Sequence, residues 1–171
     1  DHVVAKSTIE FLKEAKSLKK INSLDVYFRE HWGGIFKAHP WLSGPEDSYL
    51  GFYEKGGGAL GEHSHALNLW QFLANEIGLG KVKKVSAKLD YIKSDTLHYD
   101  RLAMLHLETE KGFLGSVVQD VLHKPALKFA RIQSENEALE WQCLQDPYRD
   151  VVRKIDQECN EKIFKKIRAD D

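Results

Sequence analysis

The amino-acid sequence predicts an α+β fold, in which helices pack on one face of a mostly antiparallel open sheet. Apolar residues recur with helical period in three separate segments of the chain. Between the second and third of these, several stretches alternate between apolar and polar residues, which is the period of a strand. Most of these stretches are joined by short links, and short links force antiparallel neighbours.

The first predicted elements are a helix over residues 2–20 and a strand over residues 24–32. The helix has an apolar residue at every third position, and Ser7 and Glu10 have the spacing of a capping box. The strand is predicted from strict alternation. Residues 33–55 contain two prolines and several aromatic residues, which predicts a long irregular loop that is packed rather than disordered.

A second amphipathic helix is predicted over residues 66–77, with glycines directly after it as stop signals. The sheet then follows. Its predicted strands cover residues 85–91, 102–110, 113–122, 127–133 and 138–143. A third helix is predicted over residues 147–168, because Asp146 and Pro147 place an N-cap before a proline at the first helical position.

The composition limits the location and the partners of the protein. The 171 residues include 25 basic and 26 acidic side chains, so there is no electrostatic case for binding nucleic acid or an anionic membrane. No apolar run approaches the roughly 20 residues that span a bilayer. Cys143 and Cys159 form neither a disulfide framework nor a zinc motif. We therefore expect a cytoplasmic protein, and the start at Asp1 rather than Met favours a piece of a longer chain.

One short segment, residues 56–68, concentrates the residues that could carry chemistry. It contains three consecutive glycines, which permit sharp turns and close approach of the backbone, and then Glu62, His63, His65 and Asn68. A histidine just past such a turn can transfer a proton near neutral pH. A histidine that merely caps the following helix or packs in the core is the alternative interpretation. A metal site on His63 and His65 is not predicted, because residues two apart on a helix point in different directions.

This segment resembles the second-domain motif of the Gfo/Idh/MocA oxidoreductases, the glucose–fructose oxidoreductase and inositol dehydrogenase family. The family pattern has three glycines, three further residues, an acid, and then a histidine followed three positions later by a second acid. The matching residues are Gly56, Gly57, Gly58, Glu62, His65 and, imperfectly, Asn68. His39-Pro40-Trp41 and the nearby tyrosines resemble the substrate-side loop of the family. The resemblance covers most of residues 24–143.

The resemblance implies the substrate-binding domain of an NAD(P)-dependent oxidoreductase that acts on a sugar, sugar derivative or polyol. His65 would be the general acid/base, supported by Glu62 and Asn68. Asn68 departs from the pattern, because an amide cannot ionise. Gly57 and Gly58 would contact the NAD or NADP cofactor. The candidate substrate-binding residues are Trp41, Tyr53, Lys55 and His63.

The same resemblance concerns the rest of the protein. A dinucleotide-binding fingerprint needs its glycines between a strand and a helix, whereas the glycines that begin at Gly56 follow a predicted loop. We therefore expect the dinucleotide-binding domain to lie outside this chain and the chain alone to be inactive. A homo-oligomer is expected through the open sheet face. That face is predicted to carry Met104, Leu114, Val118 and Leu122 beside Ser116 and Asp120. The alternatives are a non-catalytic sugar-binding or dimerisation module and, less favoured, a hydrolase on the same scaffold.

Overall fold

One open sheet forms the frame of the molecule. The computed structural model describes residues 2–62, 64–146 and 149–167. The α-helices are α1 (Lys6–Ala15), α2 (Trp32–Ala38), α3 (Gly58–Glu62) and α4 (His65–Glu76). The strands are β1 (Ile21–His31), β2 (Val82–Lys93), β3 (His98–Thr109), β4 (Leu114–Asp120), β5 (Leu122–Ser134), β6 (Ala138–Asp146), β7 (Arg149–Ile155) and β8 (Glu161–Ile167). Short 3-10 helices cover His2–Val4, Pro45–Asp47, Tyr49–Gly51 and Tyr53–Lys55.

The sheet is mostly antiparallel, and the predicted α+β class is confirmed. Its strand order is β2-β3-β4-β1-β5-β6-β7-β8. The parallel pair is β1 with β4, and β1 pairs antiparallel with β5 on its other side. The first strand of the chain is therefore central in the sheet.

The strands predicted over residues 113–122 and 127–133 were expected to be antiparallel neighbours because only residues 123–126 join them, and this expectation is wrong. His123, Lys124 and Pro125 lie inside β5, and only Val121 separates β4 from β5. One residue is too short for a hairpin, so the chain steps sideways and β1 fills the space between the two strands. The Val121 N–H donates to the carbonyl oxygen of Arg101 (3.1 Å), and the Val121 carbonyl accepts from the Trp32 N–H (3.3 Å).

The core lies between the sheet and the helices α1 and α4. Alternate residues of β1, namely Leu24, Val26 and Phe28, are fully buried, as the strand period predicts. Trp70 of α4 is buried too, and its indole N–H donates to the carbonyl oxygen of Leu24 at 2.8 Å. This contact ties α4 to β1.

The predicted first helix is too long, and its capping box does not form. The helix α1 begins at Lys6, and Ala5 occupies the N-cap position without a side-chain hydrogen bond. Ser7 is instead buried: its hydroxyl donates to Asp150 Oδ2 (2.5 Å) and accepts from the indole N–H of Trp141 (2.9 Å). Tertiary hydrogen bonds to the sheet have replaced the local cap, because this side of α1 faces the core.

The predicted helix over residues 147–168 is wrong: this part of the chain forms β7 and β8, and Pro147 and Arg168 lie outside the described residues. The β-branched residues Val151 and Val152 favour a strand, and β6 offers an edge on which to pair. The turn between the strands is built on Asp156, which accepts from the N–H groups of Glu158 and Asn160 (3.0 and 2.8 Å). Hydrogen bonds from Asn160 hold the pKa of Asp156 below its ordinary value.

The face of the sheet away from α4 has exposed apolar side chains. Leu114 is 63% exposed, and the rings of Tyr27 and Phe129 stack at 6.0 Å. Asp120 was expected on this exposed face but is buried, because Arg29 Nε–H donates to its carboxylate at 2.5 Å. In the part of the chain that the structure describes, none of the helices is long and apolar enough to span a membrane.

Candidate functional site

The glycine turn that precedes α3 is tightly packed against the chain itself. A Cβ on Gly57 would overlap the carbonyl oxygens of Tyr49 and Leu50. Gly58 has φ of +85°, and a Cβ there would overlap the carboxylate of Asp100. The close approach of the backbone and the left-handed conformation both require glycine at these positions. Packing therefore accounts for both glycines before any ligand is considered.

Asp100 holds the first turn of α3, and sequence reasoning missed it. The residue lies on β3, is only 3% exposed, and its Oδ2 accepts from the Leu60 N–H at 2.8 Å. Burial raises the pKa of the Asp100 carboxyl above its ordinary value, and backbone hydrogen bonds from Leu60 and from Asp100 itself oppose that rise. In the sequence, Asp100 follows a polar stretch that is typical of a turn, so no local signal marks it as buried.

Asp100→Asn should stabilise the fold at neutral pH. The raised pKa means that the folded state binds the proton more tightly than the unfolded state does. That contribution to stability is fully present below about pH 4, the unfolded pKa, and is lost as the pH rises through the folded pKa. Asparagine does not ionise, and its side-chain oxygen can still accept from Leu60. We therefore expect a higher Tm than wild type at pH 7 and a smaller difference at pH 4, measured by thermal unfolding.

The matched control is Asp90→Asn on β2. Asp90 is an exposed carboxylate that accepts from Arg101 Nε–H at 2.7 Å. An exposed ion pair contributes little, so this variant should change the Tm only slightly at either pH. A lower Tm for Asp100→Asn at pH 7 would contradict the burial effect.

Glu62 is engaged by a tyrosine. The hydroxyl of Tyr49 donates to Glu62 Oε2 at 2.6 Å. This hydrogen bond to the carboxylate is the main reason that the pKa of Tyr49 rises to about 12, with burial and the negative charge of Glu62 adding to it. The pair joins the last residue of α3 to the loop before the glycines. The support of His65 by Glu62 stays a prediction; in the structure Glu62 anchors the turn through Tyr49.

Glu62→Gln should lower the pKa of Tyr49 toward the ordinary tyrosine value of about 10, because the glutamine has no charge to oppose a phenolate. In the wild type, the contribution of this pair to stability is present below about pH 10 and is lost as the pH rises through about 12. Carbon-13 NMR of the tyrosine Cζ atoms during an alkaline titration measures the pKa of Tyr49. Glu76→Gln serves as the control, and ionisation of wild-type Tyr49 near pH 10 would refute the interaction.

His65 is the first residue of α4, and its side chain is exposed. Its ring lies 5.7 Å from the ring of His2, centroid to centroid, in an edge-to-face arrangement. His2 is 6% exposed and packs on Phe28 at 4.8 Å. Asn68 is exposed three residues after His65, a spacing that places both side chains on one side of a helix. No sequence pattern singled out His2.

The predicted substrate-binding residues fall into separate groups. Tyr53 packs with two aromatic residues that the sequence did not single out, His98 (4.4 Å between ring centroids) and Tyr91 (6.3 Å). Trp41 is 72% exposed, and its ring meets His39 edge-on at 5.1 Å. Lys55 Nζ stands 4.1 Å from the centroid of the Phe52 ring. These three residues thus lie on the same irregular segment with different local partners.

His63, the remaining candidate, lies outside the described residues. Within residues 2–62, 64–146 and 149–167, no cluster of three or more histidine, cysteine, aspartate or glutamate side chains is placed to hold a metal ion.

Solved structures of oxidoreductases share this architecture. An NAD binding oxidoreductase from Klebsiella pneumoniae matches 98% of the chain with a TM-score of 0.70 and 14% identity. Levoglucosan dehydrogenase in complex with NADH matches 94% with a TM-score of 0.66 and 15% identity. An inositol dehydrogenase homolog from Azotobacter vinelandii, complexed with NADH and myo-inositol, matches 91% with a TM-score of 0.61 and 16% identity. No family model and no curated protein sequence matches the chain.

The chain covers 45%, 44% and 39% of the lengths of these three structures, respectively. At this level of identity the likeness concerns the fold. The chain has the fold found in these oxidoreductases, and the fold that the Gfo/Idh/MocA resemblance implied is confirmed.

Proposed function

We propose that this chain, which has the fold found in these oxidoreductases, is the substrate-binding and proton-transfer domain of an NAD(P)-dependent dehydrogenase acting on a sugar, sugar derivative or polyol. The observation that carries the proposal is the position of His65. It is an exposed histidine at the first residue of α4, and the short helix α3 separates it from a tightly packed glycine turn. The fold is shared with an inositol dehydrogenase homolog and with levoglucosan dehydrogenase.

The proposed role of His65 is to accept the proton of the reacting hydroxyl. Oxidation of an alcohol removes a hydride from carbon and a proton from oxygen, and an imidazole within hydrogen-bond reach can take that proton. Asn68, on the same side of α4, would donate or accept a hydrogen bond to a neighbouring hydroxyl. The carboxylate of Glu62, which accepts a hydrogen bond from the Tyr49 hydroxyl, would support His65. Trp41, Tyr53, Lys55 and His63 remain the proposed substrate-binding residues.

The cofactor fits this chain only in part. NAD or NADP supplies the hydride acceptor when it is bound. Tyr49 and Asp100 fill the space beside Gly57 and Gly58, so these glycines do not form an open cradle for a phosphate group. Only their remaining backbone atoms would touch the nicotinamide end. We propose that a dinucleotide-binding domain outside these residues holds most of the cofactor, and that the chain alone does not turn over substrate.

The exposed face of the sheet would serve association. Leu114, Met104 and Leu122 are all exposed there. An apolar face that is left open by the helices is typical of a surface that a second subunit covers. The protein proposed here is therefore a cytoplasmic homo-oligomer with a small-molecule substrate.

Hydride transfer tests the proposal. The protein in which a dinucleotide-binding domain accompanies this chain is incubated with NAD⁺ or NADP⁺ and a panel of polyols and sugars that includes myo-inositol and levoglucosan. We expect absorbance at 340 nm to rise with at least one pair. Binding of a sugar without any reduction of either cofactor would reject the oxidoreductase and favour the second candidate.

The second candidate is a non-catalytic sugar-binding or dimerisation module on the same scaffold. Three observations favour it: Glu62 is bound to Tyr49, an amide stands at Asn68 in place of an acid, and packing accounts for the glycines. This module would retain its affinity for sugar after His65→Ala, and its cofactor would be dispensable.

A further inference from the structure

We infer that Asp100 and Gln119 are positioning residues. From two adjacent strands they hydrogen-bond the backbone of α3, an interaction called the grip below, and they thereby set the position of His65. The two side chains come from β3 and β4, and both are buried. They contact opposite kinds of backbone group, because one accepts from an N–H and the other donates to carbonyl oxygens. The inference rests on the proposed function only in taking His65 as the proton-transfer group.

Asp100 fixes the beginning of α3. Its Oδ2 accepts from the Leu60 N–H, while its Oδ1 occupies the space in which Gly58 would carry a side chain. The glycine and the carboxylate are thus a matched pair, since any larger residue at position 58 would displace Asp100. Position 100 therefore needs a hydrogen-bond acceptor rather than a charge, because a charge is costly to bury.

Gln119 fixes the same turn from the other side. Its Nε2 donates to the carbonyl oxygen of Ala59 at 3.0 Å and, more weakly, to that of Leu60 at 3.4 Å. Its Oε1 is buried and has no hydrogen-bond partner among the described residues. Rotating the amide would direct that oxygen at two carbonyl oxygens, so the observed orientation is the favourable one. An orphaned buried acceptor is normally selected against, so the gain from holding Ala59 must outweigh it.

Backbone hydrogen bonds on Ser64 connect the end of α3 to the first turn of α4. The Ser64 N–H donates to the carbonyl oxygen of Gly61 at 3.3 Å, and the Asn68 N–H donates to that of Ser64 at 3.0 Å. α4 is itself held by the hydrogen bond from Trp70 to β1. With α3 held by β3 and β4 and α4 held by β1, we expect His65 to keep one position.

The test uses NMR on four variants. Asp100→Ala removes the acceptor, Asp100→Asn retains an acceptor oxygen, Gln119→Met removes the donor at similar volume, and Asp90→Ala is an exposed control on the neighbouring strand. We expect Asp100→Ala to raise the exchange rate of the Leu60 amide at least tenfold and to shift the ring resonances of His65. Asp100→Asn should restore both values, and Asp90→Ala should change neither.

A purely structural role predicts a different result. Asp100→Ala would then lower the Tm but leave the His65 ring resonances at their wild-type positions, which would overturn the inference. If Asp100→Ala does not fold, Gln119→Met decides the question. An unchanged exchange rate of the Leu60 amide together with unchanged His65 ring resonances in that variant would reject the positioning role. Hydride transfer is measured separately. If Asp100→Ala shifts the His65 ring but the wild-type intact protein, with its dinucleotide-binding domain, reduces no cofactor, the positioning role is supported and the proposed function is rejected.

Discussion

Alanine at position 58 should destabilise the protein much more than alanine at position 56, although both glycines have φ of +85°. A side chain in the left-handed region costs about 1–2 kcal/mol, and both variants bear that strain. A Cβ at Gly56 meets open space, whereas one at Gly58 overlaps the Asp100 carboxylate. Overpacking adds about 1–3 kcal/mol, so Gly58→Ala should be the worse variant by that amount in urea unfolding.

The pair Gly56→Ala and Gly58→Ala is its own control, because the two substitutions differ only in what surrounds the new methyl group. A double variant sharpens the comparison. Asp100→Ala removes the overlapping carboxylate, so Gly58→Ala should be less damaging in that background than in the wild type. Equal free energies of unfolding for the two alanine variants would show that Asp100 does not occupy the space beside Gly58.

The largest functional effect is expected from His65→Ala. In the intact dehydrogenase this change should lower kcat by about 10²–10⁴-fold, the usual contribution of a general base. KM should change much less, because the imidazole acts chiefly in the transition state. Steady-state reduction of the cofactor at 340 nm measures both quantities. The matched control is His106→Ala, an exposed histidine on β3.

An undiminished kcat in His65→Ala would remove the proton-transfer role. A rise in KM without a change in kcat would instead place His65 among the substrate-binding residues. Absence of cofactor reduction in the wild type itself would favour the non-catalytic module.

Local sequence patterns predicted the elements that depend on local periodicity. β1 and α4 were found because each buries one continuous apolar face, on β1 through Leu24 and Val26 and on α4 through Trp70. The helix predicted over residues 147–168 is wrong because local periodicity does not distinguish helix from strand there. Val152, Ile155 and Ile163 have a spacing that a helix would also use, and only the free edge of β6 decides for strands. The capping box predicted at Ser7 is wrong for a similar reason, because the partner that Ser7 binds, Asp150, is 143 residues away.

The candidate site shows the same division. The glycines, Glu62 and His65 are contiguous in the sequence, so a motif could select them. Asp100 and Gln119 contact that motif from 40 and 60 residues away, respectively, and neither has a neighbour that marks it. The insertion of β1 between β4 and β5 also brings Phe28 to the level of Gln119, a pairing that no local pattern contains.

The most direct test of the proposed role of His65 is a crystal structure of the intact protein with its cofactor and a substrate or product bound. The account predicts a ring nitrogen of His65 about 2.6–3.2 Å from the oxygen on the reacting carbon. It further predicts that Asp100 still accepts from the Leu60 N–H. A ligand seated with a different side chain at that oxygen, and with His65 beyond hydrogen-bond reach, would contradict it.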